Sequence, residues 1–122
     1  MTNSELVIFF LRVQAQFRIL HWQTTSYAKH NAYDGIYGAL GGLIDSFVEV
    51  YQGKYGRVNV EGAQVQLQDI TDESLNNFVA ECVSVLTKDL PGLLEDGDTD
   101  LLNVRDEMLA EFNKLRYLLT LK

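Results

Sequence analysis

By type and spacing, the residues best placed to do chemistry are two histidines and three carboxylates in the first half of the chain: His21, His30, Asp34, Asp45 and Glu49. His30 and Asp34 are four residues apart, and so are Asp45 and Glu49. In a helix each pair falls on one face, one turn apart. A mixed set of imidazole and carboxylate suits iron, manganese or zinc better than magnesium or calcium. From Asp34 to Asp45 is three helical turns, so the two pairs share a face but lie about 16 Å apart along the axis. One ion cannot bridge that gap. Either each pair is half of a site that another chain completes, or the pattern is accidental.

The elements that must carry these residues are helical. Leu6, Val7, Phe10, Val13, Phe17 and Leu20 recur at steps of three and four. That period predicts a first helix starting after Asn3 or Ser4 and ending between Trp22 and Thr25. Ser26 is a suitable cap for a second helix over Tyr27 to Tyr55, a stretch without proline. This helix holds Gly35, Gly38, Gly41 and Gly42, each costing about 1 kcal/mol against alanine. With Ala32, Ala39 and Ser46 they form a stripe of small residues that lets another backbone approach closely. Leu40, Leu43, Ile44, Phe47 and Val48 keep the period, which predicts a continuous helix rather than a break at Gly41-Gly42. Asp45 stands among these apolar residues, and a carboxylate on an apolar face needs a partner or a metal.

Residues 56 to 70 read as an ordered crossover or a brief strand, from Val58, Val60, Val65 and Leu67. A third helix, capped by Thr71 or Asp72, buries Leu75, Phe78, Val79, Cys82, Val85 and Leu86, and Pro91 ends or kinks it. A fourth begins after Asp98 or Thr99 and buries Leu101, Val104, Met108, Phe112, Leu115 and Leu119. Asp96, Asp98, Asp100 and Glu107 are spaced as in a calcium loop. Leu101 stands where such a loop needs glycine, so an acidic turn before helix four is the better reading. Four amphipathic helices, two hairpins and one long crossover between helices two and three predict an all-α four-helix bundle, a single domain over residues 1–122.

The first half, about residues 5 to 56, resembles the Dps family, the mini-ferritins of the ferritin-like superfamily. That family carries a His-Trp pair at the end of its first helix. A second His follows, then an Asp four residues on, an Asp eleven further, and an acid four beyond. The chain has His21-Trp22, His30, Asp34, Asp45 and Glu49, with the last three intervals the same. The resemblance implies a ferritin-like bundle with a ferroxidase centre at a two-fold dimer interface. One subunit would supply His21, His30 and Asp34, and its partner Asp45 and Glu49. The midpoint of both intervals falls between residues 39 and 40, inside the glycine-rich stripe.

By the same resemblance, these five residues are the catalytic and metal-binding set. The metal is iron, passing from Fe2+ to Fe3+ with peroxide or oxygen as oxidant, and zinc or manganese fits the same site. The partner is a second copy joined through helix two, a dimer that can build into a larger cage for iron storage and detoxification. Trp22 would absorb stray oxidising equivalents near the metals, with Tyr27, Tyr33 and Tyr37 as further candidates.

The formal net charge of −7 argues against binding duplex DNA, which demands clustered Lys and Arg, and no basic tail is present. Cys82 is the single cysteine and lies in an apolar run, so it reads as a small buried hydrophobe in a reducing compartment. No apolar run is long enough for a membrane, and the start lacks the flank of a signal peptide, so a cytoplasmic location is expected. The main rival is a non-enzymatic ferritin-like scaffold or partner-binding module with a vestigial metal site. A helical nucleotide pyrophosphohydrolase would need ExxE pairs, and the chain has none.

Overall fold

The computed structural model describes all residues, Met1–Lys122. It contains four α-helices and no strand: α1 Asn3–Gln23, α2 Tyr27–Tyr55, α3 Asp72–Ser84 and α4 Thr99–Leu118. Local chemistry sets the ends. Thr2 caps α1, one or two residues earlier than the spacing alone predicts, because Glu5 reciprocates: the Thr2 hydroxyl accepts from Glu5 N and the Glu5 carboxylate accepts from Thr2 N. Ser26 caps α2 and Thr71 caps α3. α2 ends at Gly56, whose φ of 90° is open to glycine but strained for other residues. Gly35, Gly38, Gly41 and Gly42 do not break α2.

After Ser84 the third helix does not simply stop at the proline. It widens into a π turn, Val85–Asp89, and tightens into a 3₁₀ turn, Leu90–Leu93. Pro91 cannot supply the next amide donor, so the helical ladder changes register before it. Arg105 of α4 donates to the Leu86 carbonyl at 3.1 Å within this irregular stretch.

α2 packs along both α1 and α4, and α3 packs on α4. α1 and α3 close the square through the Arg12–Glu81 ion pair, 2.9 Å, and the edge-on contact of Phe17 with Phe78. Phe17 is fully buried and sits where all four helices meet. Its ring centroid lies 6.3 Å from Tyr33 of α2, 5.5 Å from Phe78 of α3 and 6.1 Å from Phe112 of α4. Truncating such a ring to alanine costs about 3–5 kcal/mol.

Residues 56–71 form the crossover. The strand expected here is absent, because the segment lies against helices and has no neighbouring strand to pair with. It is pinned by Gln16 instead, a buried side chain of α1 whose amide donates to the Gln68 carbonyl at 2.9 Å and accepts from Gln68 N at 2.7 Å. No helix is long and apolar enough to cross a membrane.

Candidate metal centre

The short connection of α1 to α2 brings the two histidines face to face. His21 lies in the last turn of α1 and His30 in the first turn of α2. Their rings stack with centroids 3.7 Å apart and planes 18° from parallel. Each ring is fixed by the other residue's main chain. His21 Nδ1 donates to the His30 carbonyl at 2.9 Å, and His30 Nδ1 donates to the His21 carbonyl at 2.9 Å. A carbonyl oxygen can only accept, so the proton sits on Nδ1 in both rings. With Nδ1 so engaged, Nε2 is the nitrogen left in each ring for a further partner. Fixing the tautomer by a backbone carbonyl is how metal-ligating histidines are commonly oriented.

The three carboxylates stand on the open side of α2. At about 100° per residue, Asp34, Asp45 and Glu49 fall within one narrow arc. Ile36, Leu40, Ile44 and Phe47 occupy the opposite face and are buried. Asp45 is thus exposed, which corrects its expected place on the apolar face: neighbours in sequence point around the helix, not to one side. Asp45 and Glu49 take part in none of the chain's ion pairs. Asp34, with its side chain 60% exposed, has Arg18 Nη1 of α1 at 3.6 Å. The Arg18 guanidinium lies over the Tyr37 ring, its carbon 3.8 Å from the centroid.

Within one chain, no three His, Cys, Asp or Glu side chains converge on a common point where an ion could be held. The fold brings His21 to His30 and sets Asp34 one turn further along α2. Asp45 and Glu49 stay with the same face but remote, as the unbroken helix requires. Along that face Gly35, Gly38 and Gly42 are open, and a Cβ added at any of them meets nothing within 4 Å. The glycines therefore serve no contact inside the chain.

Of the aromatic residues near the histidines, Trp22 is 70% and Tyr27 is 79% exposed, with Tyr27 roughly parallel to His30. Tyr33 is core, and burial pushes its phenol up to about 12. Burial also pushes the Cys82 thiol up, which keeps it protonated and unsuited to a metal. A groove of about 710 Å³ lies between the start of α1, the crossover and the π turn, and contains neither histidine.

At the other end of α2, sequence reasoning missed a cluster. Asp98 is buried and accepts from Lys54 Nζ at 2.9 Å, from Glu95 N at 2.9 Å and from the Tyr55 hydroxyl. It precedes α4 as expected but makes no side-chain cap, because its carboxylate is already engaged. These contacts, with Leu101 inside a helix, leave no calcium loop.

The profile of a family described as "Family of unknown function (DUF5856)" matches residues 21–119. A protein of Enterobacteria phage T4, described as an uncharacterized 14.6 kDa protein in the mobD-ri intergenic region, is 30% identical over 122 residues, covering 98% of this chain and 88% of that protein. No solved structure matches.

Proposed function

The chain belongs to the DUF5856 family of unknown function, and we propose that this member is a Dps-like, ferritin-like protein that oxidises Fe(II) to Fe(III) at a site shared between two copies. The observation that carries this reading is the His21–His30 clasp. It presents two Nε2 lone pairs in a fixed tautomer beside a helix face bearing Asp34, Asp45 and Glu49. Two imidazoles with three carboxylates form a donor set suited to Fe(II) as substrate, and equally to zinc or manganese.

The unbroken α2 supports the shared site. If two copies cross antiparallel with the axis between residues 39 and 40, His30 of one faces Glu49 of the other, and Asp34 faces Asp45. Gly35, Gly38 and Gly42 then lie at the crossing, where the absence of side chains permits close approach. In such a site the histidines and Asp34 would bind Fe(II), with Asp45 and Glu49 completing its surroundings. Each Fe(II) gives up one electron and hydrogen peroxide accepts two, its O–O bond breaking to leave two hydroxide equivalents. Acidic side chains around the site would hold the ferric product before it moves to storage.

The test is Fe(II) oxidation with peroxide, followed by ferric absorbance. Asp45→Ala should abolish it while helical circular dichroism is retained. Undiminished oxidation in that variant would reject the site. One observation favours a second reading, a scaffold with vestigial ligands: Arg18 already pairs with Asp34. Elemental analysis after dialysis against Fe(II) or Zn(II) separates the two, since a scaffold retains no stoichiometric metal.

A further inference from the structure

Arg18 is the one cation set against the proposed ligands. Its Nη1 is 3.6 Å from Asp34 Oδ1, longer than a firm charge-assisted hydrogen bond of about 2.7–2.9 Å. Its guanidinium carbon also lies over a second partner, 3.8 Å from the Tyr37 ring centroid. A guanidinium over an aromatic face is held by the ring quadrupole independently of any carboxylate. The side chain thus has two attachments, and only one involves a proposed metal ligand.

We propose that Arg18 is the resident counter-ion of the metal site: it neutralises Asp34 when no divalent cation is bound and retires onto Tyr37 when one takes the carboxylate. This rests on the shared metal site proposed above. Arg18 does not touch the reacting atoms, so its role is positioning. Two consequences point the same way. Removing Arg18 frees Asp34 and also removes a positive charge that repels an incoming dication. Both raise metal affinity. Without Arg18 the acids of α2 would also face one another across the dimer axis with no cation among them, so the variant should assemble less readily in the absence of metal.

The experiment is titration with Co(II), a redox-silent probe whose visible spectrum reports its coordination. Arg18→Gln should bind about three- to tenfold more tightly than wild type, the range expected for one partly exposed charge pair together with the lost repulsion. Arg18→Lys, which keeps the charge, should stay near wild type. In an Asp34→Asn background the effect of Arg18→Gln should shrink, because the coupled partner is gone. Equal or weaker binding by Arg18→Gln, with Co(II) still bound by the wild type, overturns the counter-ion role alone. Absence of Co(II) binding by the wild type overturns the shared site and this inference with it.

Discussion

At the scale of single residues, the clasp between His21 and His30 ties two helix ends together and at the same time turns both Nε2 atoms outward. Replacing either ring by alanine removes one side-chain-to-backbone bond and the stack, which should cost about 1–2 kcal/mol in urea unfolding. Long-range proton–nitrogen NMR should show the Nδ1–H tautomer for both rings in the metal-free protein, and an Nε2–H tautomer for either would contradict the clasp. Asp98 governs a different property. Hydrogen bonds from Tyr55 and Glu95 N, and the Lys54 ammonium, hold its carboxyl down at about 2. Lys54 also lowers Asp100. A carboxyl lowered on folding stabilises the folded state fully above its ordinary value of 3.8, and that stabilisation is lost as pH falls through the folded value. Asp98→Asn should therefore be less stable than wild type at neutral pH, yet lose less stability between about pH 4 and pH 2, as measured by urea unfolding across that range.

At the scale of elements, the open face of α2 would let folding be separated from the proposed assembly. Gly38 has no neighbour that a side chain would meet, so Gly38→Leu should leave the single chain folded. It should even raise helix stability by about 0.8 kcal/mol, the propensity gain. The same leucine would stand in the crossing of two helices. The expected outcome is an unchanged or higher melting temperature, a monomer in sedimentation, and no peroxide-driven Fe(II) oxidation. A Gly38→Leu dimer with full activity would remove α2 as the interface. The positions of α2, α3 and α4 were readable from apolar periodicity and from Ser26, Thr71 and Asp98, since helix signals are local. The π turn before Pro91 and the 3₁₀ turn that contains it were not, because a change of ladder register leaves the apolar spacing nearly intact. For the crossover, the sequence left an ordered connection and a brief strand both open, and the connection is what forms. Valines in alternation suggest a strand, but a strand exists only where another chain segment offers its hydrogen bonds, and here Gln16 offers them from a side chain.

At the scale of the whole molecule, the proposed ligands fall into two halves that one unbroken helix holds apart. The arrangement can be checked without knowing the metal. A chain carrying His30→Ala with Asp34→Ala, and another carrying Asp45→Ala with Glu49→Ala, should each be inactive alone. Unfolded together and refolded, they should regain about a quarter of wild-type Fe(II) oxidation, because half of the dimers are mixed and each mixed dimer has one intact site of two. No recovery, with mixed dimers demonstrated by mass, would contradict a shared site. The overall charge of −7 would attract Fe(II) to the proposed site, and the oxidation rate should then fall as salt is raised.

The sequence by itself determined the four helices, most of the buried core, and the distance between the His30–Asp34 and Asp45–Glu49 pairs along a single helix, because each depends on periodicity over a few turns. Tertiary structure alone decided that His21 and His30 meet ring to ring, that Arg18 lies between Asp34 and Tyr37, and that Asp98 is drawn into the end of α2. Those are contacts between residues distant along the chain or set by the angle of one helix against another. Spacing within a sequence carries the rise of a helix, but not the direction in which the next helix returns.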